Sequence, residues 1–488
     1  MLFLASKILD HDVNDGARLQ LLVRLQEKGM VPLIRSTRLS CYEAALSDSQ
    51  RAGEMERVMA LQTGQENHAA YVRGDIFCFD DYVYFLIFGD TESGSEGMRA
   101  GIVYEQRTAE PLRKLDAFCQ AVSLSLANDG SETGGNGSGE DETTKLTGWR
   151  QDWSTAVHQG FMRFIARQDV DSLYTFTRTE SASERVRAAT LLEDDYTRYF
   201  IRCVKEASGE GYAVGLQAVG TNAPAGFLIN TLIEAGLLRR EVLISCRKTE
   251  HMLFTIPSSD ALATLTISEA RCSECGAKIV DEKIEEVVAP TQLADGLLED
   301  GAWLVNRFRV ILRELGVPDS EVAIEPPTGE GEARLMVNVC GEPFLLVLRD
   351  GDLTPAFARR AVDIKINTAA RHLVVVATGT VHNEGRLSLM NFAKRLTRSG
   401  RDFELIIGEG TAAAASELQR AFERVSKKVL GEQLCRLDDS LGSSAALFIT
   451  TRFQLLRSVW DAATTIQLPS TEGESSTALQ SSVHTVGR

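Results

Sequence analysis

Arg271-Cys272-Ser273-Glu274-Cys275-Gly276 constrains this chain more than any other stretch. Two thiols two residues apart, closed by a glycine, make one half of a metal clamp. The other half has to come from a second loop. Upstream the chain offers Cys246 and, five residues on, His251. The array Cys-x4-His-x20-Cys-x2-Cys supplies four soft or borderline donors, the number that closes a tetrahedral structural zinc site. One structural zinc would organise a small middle domain. Such a site names no reaction.

The array resembles a zinc ribbon with one regular half and one altered half. Thr249 stands where a regular ribbon would carry the second cysteine of its first knuckle. The resemblance implies a single structural zinc held by Cys246, His251, Cys272 and Cys275. Two other readings stay open: a ribbon that has lost its metal, and a redox Cys-x-x-Cys. The redox pair is the least expected, because no strand-to-helix junction surrounds it. His251 taken alone also suits an ordinary hydrogen-bonded histidine beside a strand.

At 488 residues the chain exceeds one core, so several domains are expected. A composition of 44% hydrophobic and 25% charged residues is that of a globular protein, and no apolar run is long enough for a bilayer. Met1 to Asp10 lacks the basic start and cleavage site of a signal peptide and reads as a strand. Nine scattered cysteines point to a reducing, cytoplasmic setting. The formal charge of −16 excludes a general nucleic-acid coat, though not a local basic patch.

The fold class expected is multidomain α/β and α+β. Residues 1–127 form an N-terminal α/β domain, with a helix near 17–26, a hairpin around Asp80-Asp81 and a helix from Pro111. Residues 128–148 have almost no apolar side chain and read as a flexible acidic linker. Residues 149–240 form a helical segment that includes an amphipathic stretch at 157–165. A helix from Pro224 to Glu234 is followed by Leu237-Leu-Arg-Arg240 and by strands at 241–245 and 252–256. That order resembles the second half of a winged-helix domain. The resemblance implies a protein-docking module, or a DNA contact through the local cations Arg239, Arg240, Arg247 and Lys248. Residues 241–290 make up the wing and the ribbon-like segment.

Residues 295–430 read as a three-layer α/β domain. A helix over 301–315 precedes strands at 322–324, 334–339 and 343–349. A helix from Ala356, a buried strand at 372–377, a helix over 387–396, a strand at 403–407 and a helix over 412–429 follow. This order resembles the PD-(D/E)xK, restriction-endonuclease-like, fold. Active members carry an acid on the second strand and Glu/Asp-x-Lys on the third, which together hold a divalent metal. Here those positions align to Arg334 and to Val347-Leu348-Arg349, so the resemblance implies a degenerate active site. A shifted register would instead recruit Glu332, Asp350 or Asp352. Asp363-Ile364-Lys365 matches the tripeptide but falls on a helix. Gly408-Glu409-Gly410-Thr411, between a strand and a helix, is a weak match to a phosphate-binding turn. Residues 431–466 are a C-terminal extension, and 467–488 a Ser/Thr-rich tail expected to be disordered.

No Walker loop, metalloprotease motif, nucleophile elbow or kinase set occurs in the sequence. The expectation is a non-catalytic binding or regulatory subunit, carrying structural zinc and docking on protein partners, with DNA as a further partner and no membrane. By analogy of fold it suits bacterial DNA processing, transcription control or phage defence. The alternative is a metal-dependent nuclease with a shifted site. The sequence does not indicate the oligomeric state.

Overall fold

The computed structural model describes residues 2–63, 71–79, 81–89, 97–105, 110–127, 148–151, 182–209, 214–215, 223–258, 261, 270–298, 301–325, 332–368 and 370–466. The expected linker, apart from Gly148, lies outside these residues, as do the stretch at 157–165 and the tail. Among the described residues the chain is mixed α/β, with thirteen helices and three sheets. None of these helices is long and apolar enough to cross a membrane.

The first sheet is antiparallel, in the order β2-β3-β4-β1-β5. Its strands are β1 (Leu2–Leu9), β2 (Gly74–Phe79), β3 (Tyr82–Phe88), β4 (Met98–Glu105) and β5 (Arg150–Gln151). All seven residues of β3 are buried, which requires cover on both faces. On one face lie α1 (Asp15–Glu27) and α4 (Pro111–Ala127), with Leu21, Leu22, Leu25 and Phe118 in the core. Helices α2 (Leu33–Leu46) and α3 (Ser49–Thr63) flank them; the buried Asp75 carboxylate on β2 caps α2, accepting from the amides of Ile34 (2.7 Å) and Arg35 (2.9 Å). Gly101 leaves room for a ring: a Cβ there would lie 2.0 Å from Phe85 Cζ.

The other face is covered from the far end of the chain. The helix expected to end at Val429 instead continues in the structure as one long helix, Thr411–Leu441, followed by a helix at Ala445–Ile466. Leu430, Leu434 and Leu437 recur at helical spacing and pack beneath β1 and β3, so burial carries the helix through Gly431.

The middle segment begins with α5 (Ala182–Leu191) and α6 (Asp195–Gly209), then β6 (Val214–Gly215) and α7 (Ala223–Glu234). Strands β7 (Leu238–Ser245), β8 (Met252–Ile256) and β9 (Lys283–Pro290) complete an antiparallel sheet in the order β6-β9-β7-β8. The hairpin expected at 241–256 is present as β7 and β8. However, β7 starts earlier, at Leu238, and pairs along its whole length with β9, from Leu238↔Pro290 to Ser245↔Lys283. The segment from Cys246 to Glu282 is thus an insertion between two paired strands, and its ends are held together.

After α8 (Gln292–Leu298) and α9 (Ala302–Glu314), the third sheet has the order β10-β11-β12-β13-β14. Strands β10 (Val322–Ile324), β11 (Glu332–Val339) and β12 (Glu342–Arg349) are antiparallel. Strands β12, β13 (His372–Ala377) and β14 (Leu405–Glu409) are parallel, joined by α10 (Pro355–Thr368) and α11 (Asn383–Arg398). The long helix Thr411–Leu441 is α12 and the last, Ala445–Ile466, is α13. Helices α9 and α12 pack on one face of the sheet through Trp303, Phe308 and Phe422, and α10 and α11 on the other through Phe357 and Leu389. Three layers result, with α12 shared between this unit and the N-terminal sheet.

Candidate metal centre

Two short loops build the site, and they share one backbone geometry. In the first, the amide of Glu250 donates to Cys246 O (2.8 Å) and that of Cys246 to His251 O (2.9 Å). In the second, the amide of Gly276 donates to Cys272 O (2.9 Å) and that of Cys272 to Ala277 O (2.7 Å). In both, the fourth residue after the cysteine is left-handed, Glu250 at φ 58° and Gly276 at φ 73°. Glycine takes that conformation without steric cost, which explains Gly276; Glu250 takes it against its side-chain preference. The chain thus forms two knuckles, each turning back on itself immediately after a buried cysteine.

The knuckles bring Cys246, Cys272 and Cys275 together, and Glu282, just before β9, joins them. The four donor atoms lie within 4.8 Å of one another. Among the described residues no other group of three or more metal-ligating side chains converges in this way. His251, expected from spacing as the fourth ligand, lies outside the group. Its side chain is 68% exposed, with Nδ1 3.6 Å from a carboxylate oxygen of Glu274. The reason is local: the turn that points Cys246 inward returns the chain at His251 to start β8. No sequence spacing pointed to Glu282, because it belongs to the approach to β9, and only the pairing of β9 with β7 carries it to the knuckles.

The electrostatics suit a cation. Glu282 is buried; its Oε1 accepts from Cys275 Sγ (2.8 Å) and its Oε2 from the Arg247 amide (2.6 Å). The carboxylate pushes the Cys275 thiol up to about 12, and the thiol's donation holds Glu282 below its usual range. Cys246 is lowered to about 7, first by the Thr249 hydroxyl and then, against desolvation, by the amides of Thr249 and Lys248. Amide groups aimed at a sulfur stabilise thiolate. A proton now sits between Cys275 and Glu282, where a metal would take its place and gather three sulfurs and one oxygen around itself. That donor set suits zinc among the common biological metals.

The four expected cations are not gathered. Arg239 and Arg240 are adjacent on β7 and so point to opposite faces, the first pairing with Glu241 and the second bonding to Asn230. Arg247 and Lys248 are exposed in the first knuckle, beyond the end of β7 at Ser245.

In the C-terminal unit Arg334 and Val347 face each other across β11 and β12. Glu332 is paired with Arg349 in the same ladder; its side chain is fully buried, 3.0 Å from Arg349 Nη1 and in contact with Arg360. Asp350 accepts from Trp303 Nε1 (3.1 Å) and Thr378 Oγ1 (2.9 Å) and is paired with Arg198 and Arg202. Asp352 accepts from the Thr380 amide (2.7 Å) and lies 3.6 Å from His382. Asp363 and Lys365 lie on α10, with the Lys365 ammonium over Phe392 and Phe403. At the start of α12, Thr411 Oγ1 donates to Glu193 (2.8 Å), so a carboxylate of the chain already sits at the turn that resembled a phosphate site. No protein-family model, curated protein or solved structure matches this chain.

Proposed function

We propose that the chain is a non-catalytic binding subunit whose middle segment is shaped by one structural zinc ion. Cys246, Cys272, Cys275 and Glu282 hold the ion. The observation that carries this reading is the convergence of three cysteines, from two knuckles of like geometry, with Glu282 at the approach to β9. A four-ligand set with no place for water is the signature of structural rather than catalytic zinc. The metal would hold the two knuckles and Glu282 together at the end of the β7–β9 pair.

The middle segment is read as a winged helix that docks on protein. Three helices precede β7, and the short β6 pairs with β9, the strand that returns beside β7 after the insertion. The helix before the hairpin, α7, carries no lysine or arginine and ends at Glu234, which pairs with Arg187. A helix without cations is poorly suited to a phosphate-lined groove, so a protein partner is favoured over DNA. The C-terminal unit serves as a degenerate nuclease-like scaffold. Arginines hold Glu332 and Asp350, the acids that a shifted site would need.

Metal content of protein purified without added metal tests the reading. About one zinc per chain is expected, and none in the Cys272→Ser, Cys275→Ser variant. Absence of zinc from the parent protein, or zinc retained by the variant, would refute it. Magnesium-dependent DNA cleavage abolished by Asp350→Ala would refute the non-catalytic part.

A further inference from the structure

Beside β14, at the free edge of the third sheet, runs a groove of about 630 Å³. Its floor is Leu405 and Ile407 of β14, and its wall is the α11 face that presents Arg386, Met390, Lys394 and Arg398. None of its lining residues belongs to the cysteine cluster, and the binding reading above makes no use of it.

The backbone of the strand is available there. Among the described residues β14 pairs with β13 alone. The amide of Leu373 donates to Glu404 O, and that of Gly410 to Ala377 O. In a parallel ladder these bonds assign the even-numbered residues of β14 to β13, so Leu405, Ile407 and Glu409 turn their N–H and C=O groups outward. Leu405 and Ile407 thus offer backbone groups to the open edge while their partly buried side chains floor the groove.

The charge is equally one-sided. In a chain of formal charge −16, α11 carries Arg386, Lys394, Arg395 and Arg398 against one acid, Glu384. Among the described residues none of Arg386, Lys394 and Arg398 forms an ion pair, whereas Arg334, Arg349, Arg371 and Arg424 of the same unit all do. Positions 386, 390, 394 and 398 follow one another at about 6 Å along the helix, close to the roughly 7 Å repeat of alternate residues in an extended chain.

We infer that this edge binds an acidic, extended segment of a partner protein, which adds as a sixth strand beside β14. Main-chain bonds to Leu405, Ile407 and Glu409 would supply affinity, and carboxylates against the α11 cations would supply selectivity. Apolar side chains of the segment would cover Leu405, Ile407 and Met390. A second copy of this chain fits less well, because pairing edge to edge would set the two cationic rims against each other. A nucleic acid fits less well too, since the groove has an aliphatic floor and no aromatic lining on which bases stack.

Fluorescence anisotropy with a labelled peptide, Thr-Glu-Thr-Val-Thr-Glu-Thr-Glu-Thr, tests this on the full chain. The same peptide with lysine for glutamate and a single-stranded oligonucleotide serve as comparison probes. Saturable, salt-sensitive binding of the acidic peptide alone is expected. Arg386→Glu with Arg398→Glu should weaken it by roughly tenfold or more. Ile407→Pro removes an outward amide without removing a bond to β13, a change that edge strands tolerate, and should also abolish binding. Circular dichroism and metal content report separately on folding and on the zinc site. Failure of the acidic peptide to bind, binding indifferent to both variants, or tighter binding of the oligonucleotide would each overturn the inference.

Discussion

Thr249 and Cys275 occupy equivalent positions in two knuckles of the same backbone geometry. Each lies three residues after a buried cysteine and just before a residue with left-handed φ. The Cys275 sulfur points into the donor group, whereas the Thr249 hydroxyl bonds to Cys246. Glu282 supplies the donor that Thr249 lacks.

Thr249→Cys should therefore complete a four-sulfur site and release Glu282 from the metal. Substitution with cobalt reads the change directly, because the intensity of sulfur-to-metal charge transfer follows the number of thiolates. An increase of roughly a third is expected. An unchanged spectrum would show that position 249 does not face the metal.

Zinc affinity should fall steeply with acid. Binding displaces the proton shared by Cys275 and Glu282, whose thiol titrates near 12 without metal, while Cys246, near 7, gives up its proton far more readily. Protons compete with the metal, so affinity rises with pH as long as thiols remain protonated. A chelator competition series between pH 6 and pH 8 should show a change of about tenfold or more per pH unit. A flat profile would mean that the thiols are not ligands.

Glu332→Gln should destabilise the C-terminal unit. The buried carboxylate pairs with Arg349 and contacts Arg360, and its loss removes the carboxylate that pairs with Arg349. Breaking a fully buried pair costs about 3–5 kcal/mol; both guanidinium groups reach solvent, so about 2–3 kcal/mol is expected from denaturant unfolding. No gain or loss of nuclease activity should accompany it.

Leu434→Ala tests the dual role of α12. The side chain is fully buried beneath the N-terminal sheet, and its truncation should cost about 2–5 kcal/mol. Hydrogen exchange should rise in β1 and β3, which α12 covers, rather than in the third sheet. Exchange confined to the third sheet would show that the helix does not tie the two units together.

Local chemistry carried much of this architecture into the sequence. The periodicity of Trp303, Phe308, Ile311 and Leu312 announces α9, and the unbroken apolar run at 372–377 announces a buried parallel strand. The glycine after Cys275 marks a knuckle because the turn there needs a left-handed residue. These features depend on neighbours within one or two turns, so one-dimensional spacing contains them. The sequence by itself determined three of the four donors, the succession of helices and strands along the C-terminal unit, and the absence of acids at Arg334 and Val347.

Only the tertiary structure decided the fourth donor, the reach of α12 and the open edge of β14. Glu282 meets the cysteines because β9 pairs with β7 across an insertion of more than thirty residues, from Cys246 to Glu282. Leu430, Leu434 and Leu437 are buried because a sheet from the other end of the chain lies over them. The four cations near β7 read as one cluster along the chain, yet strand alternation and strand length separate them. In each case the deciding interaction joins residues far apart in sequence, and long-range pairing has no local periodicity to reveal it.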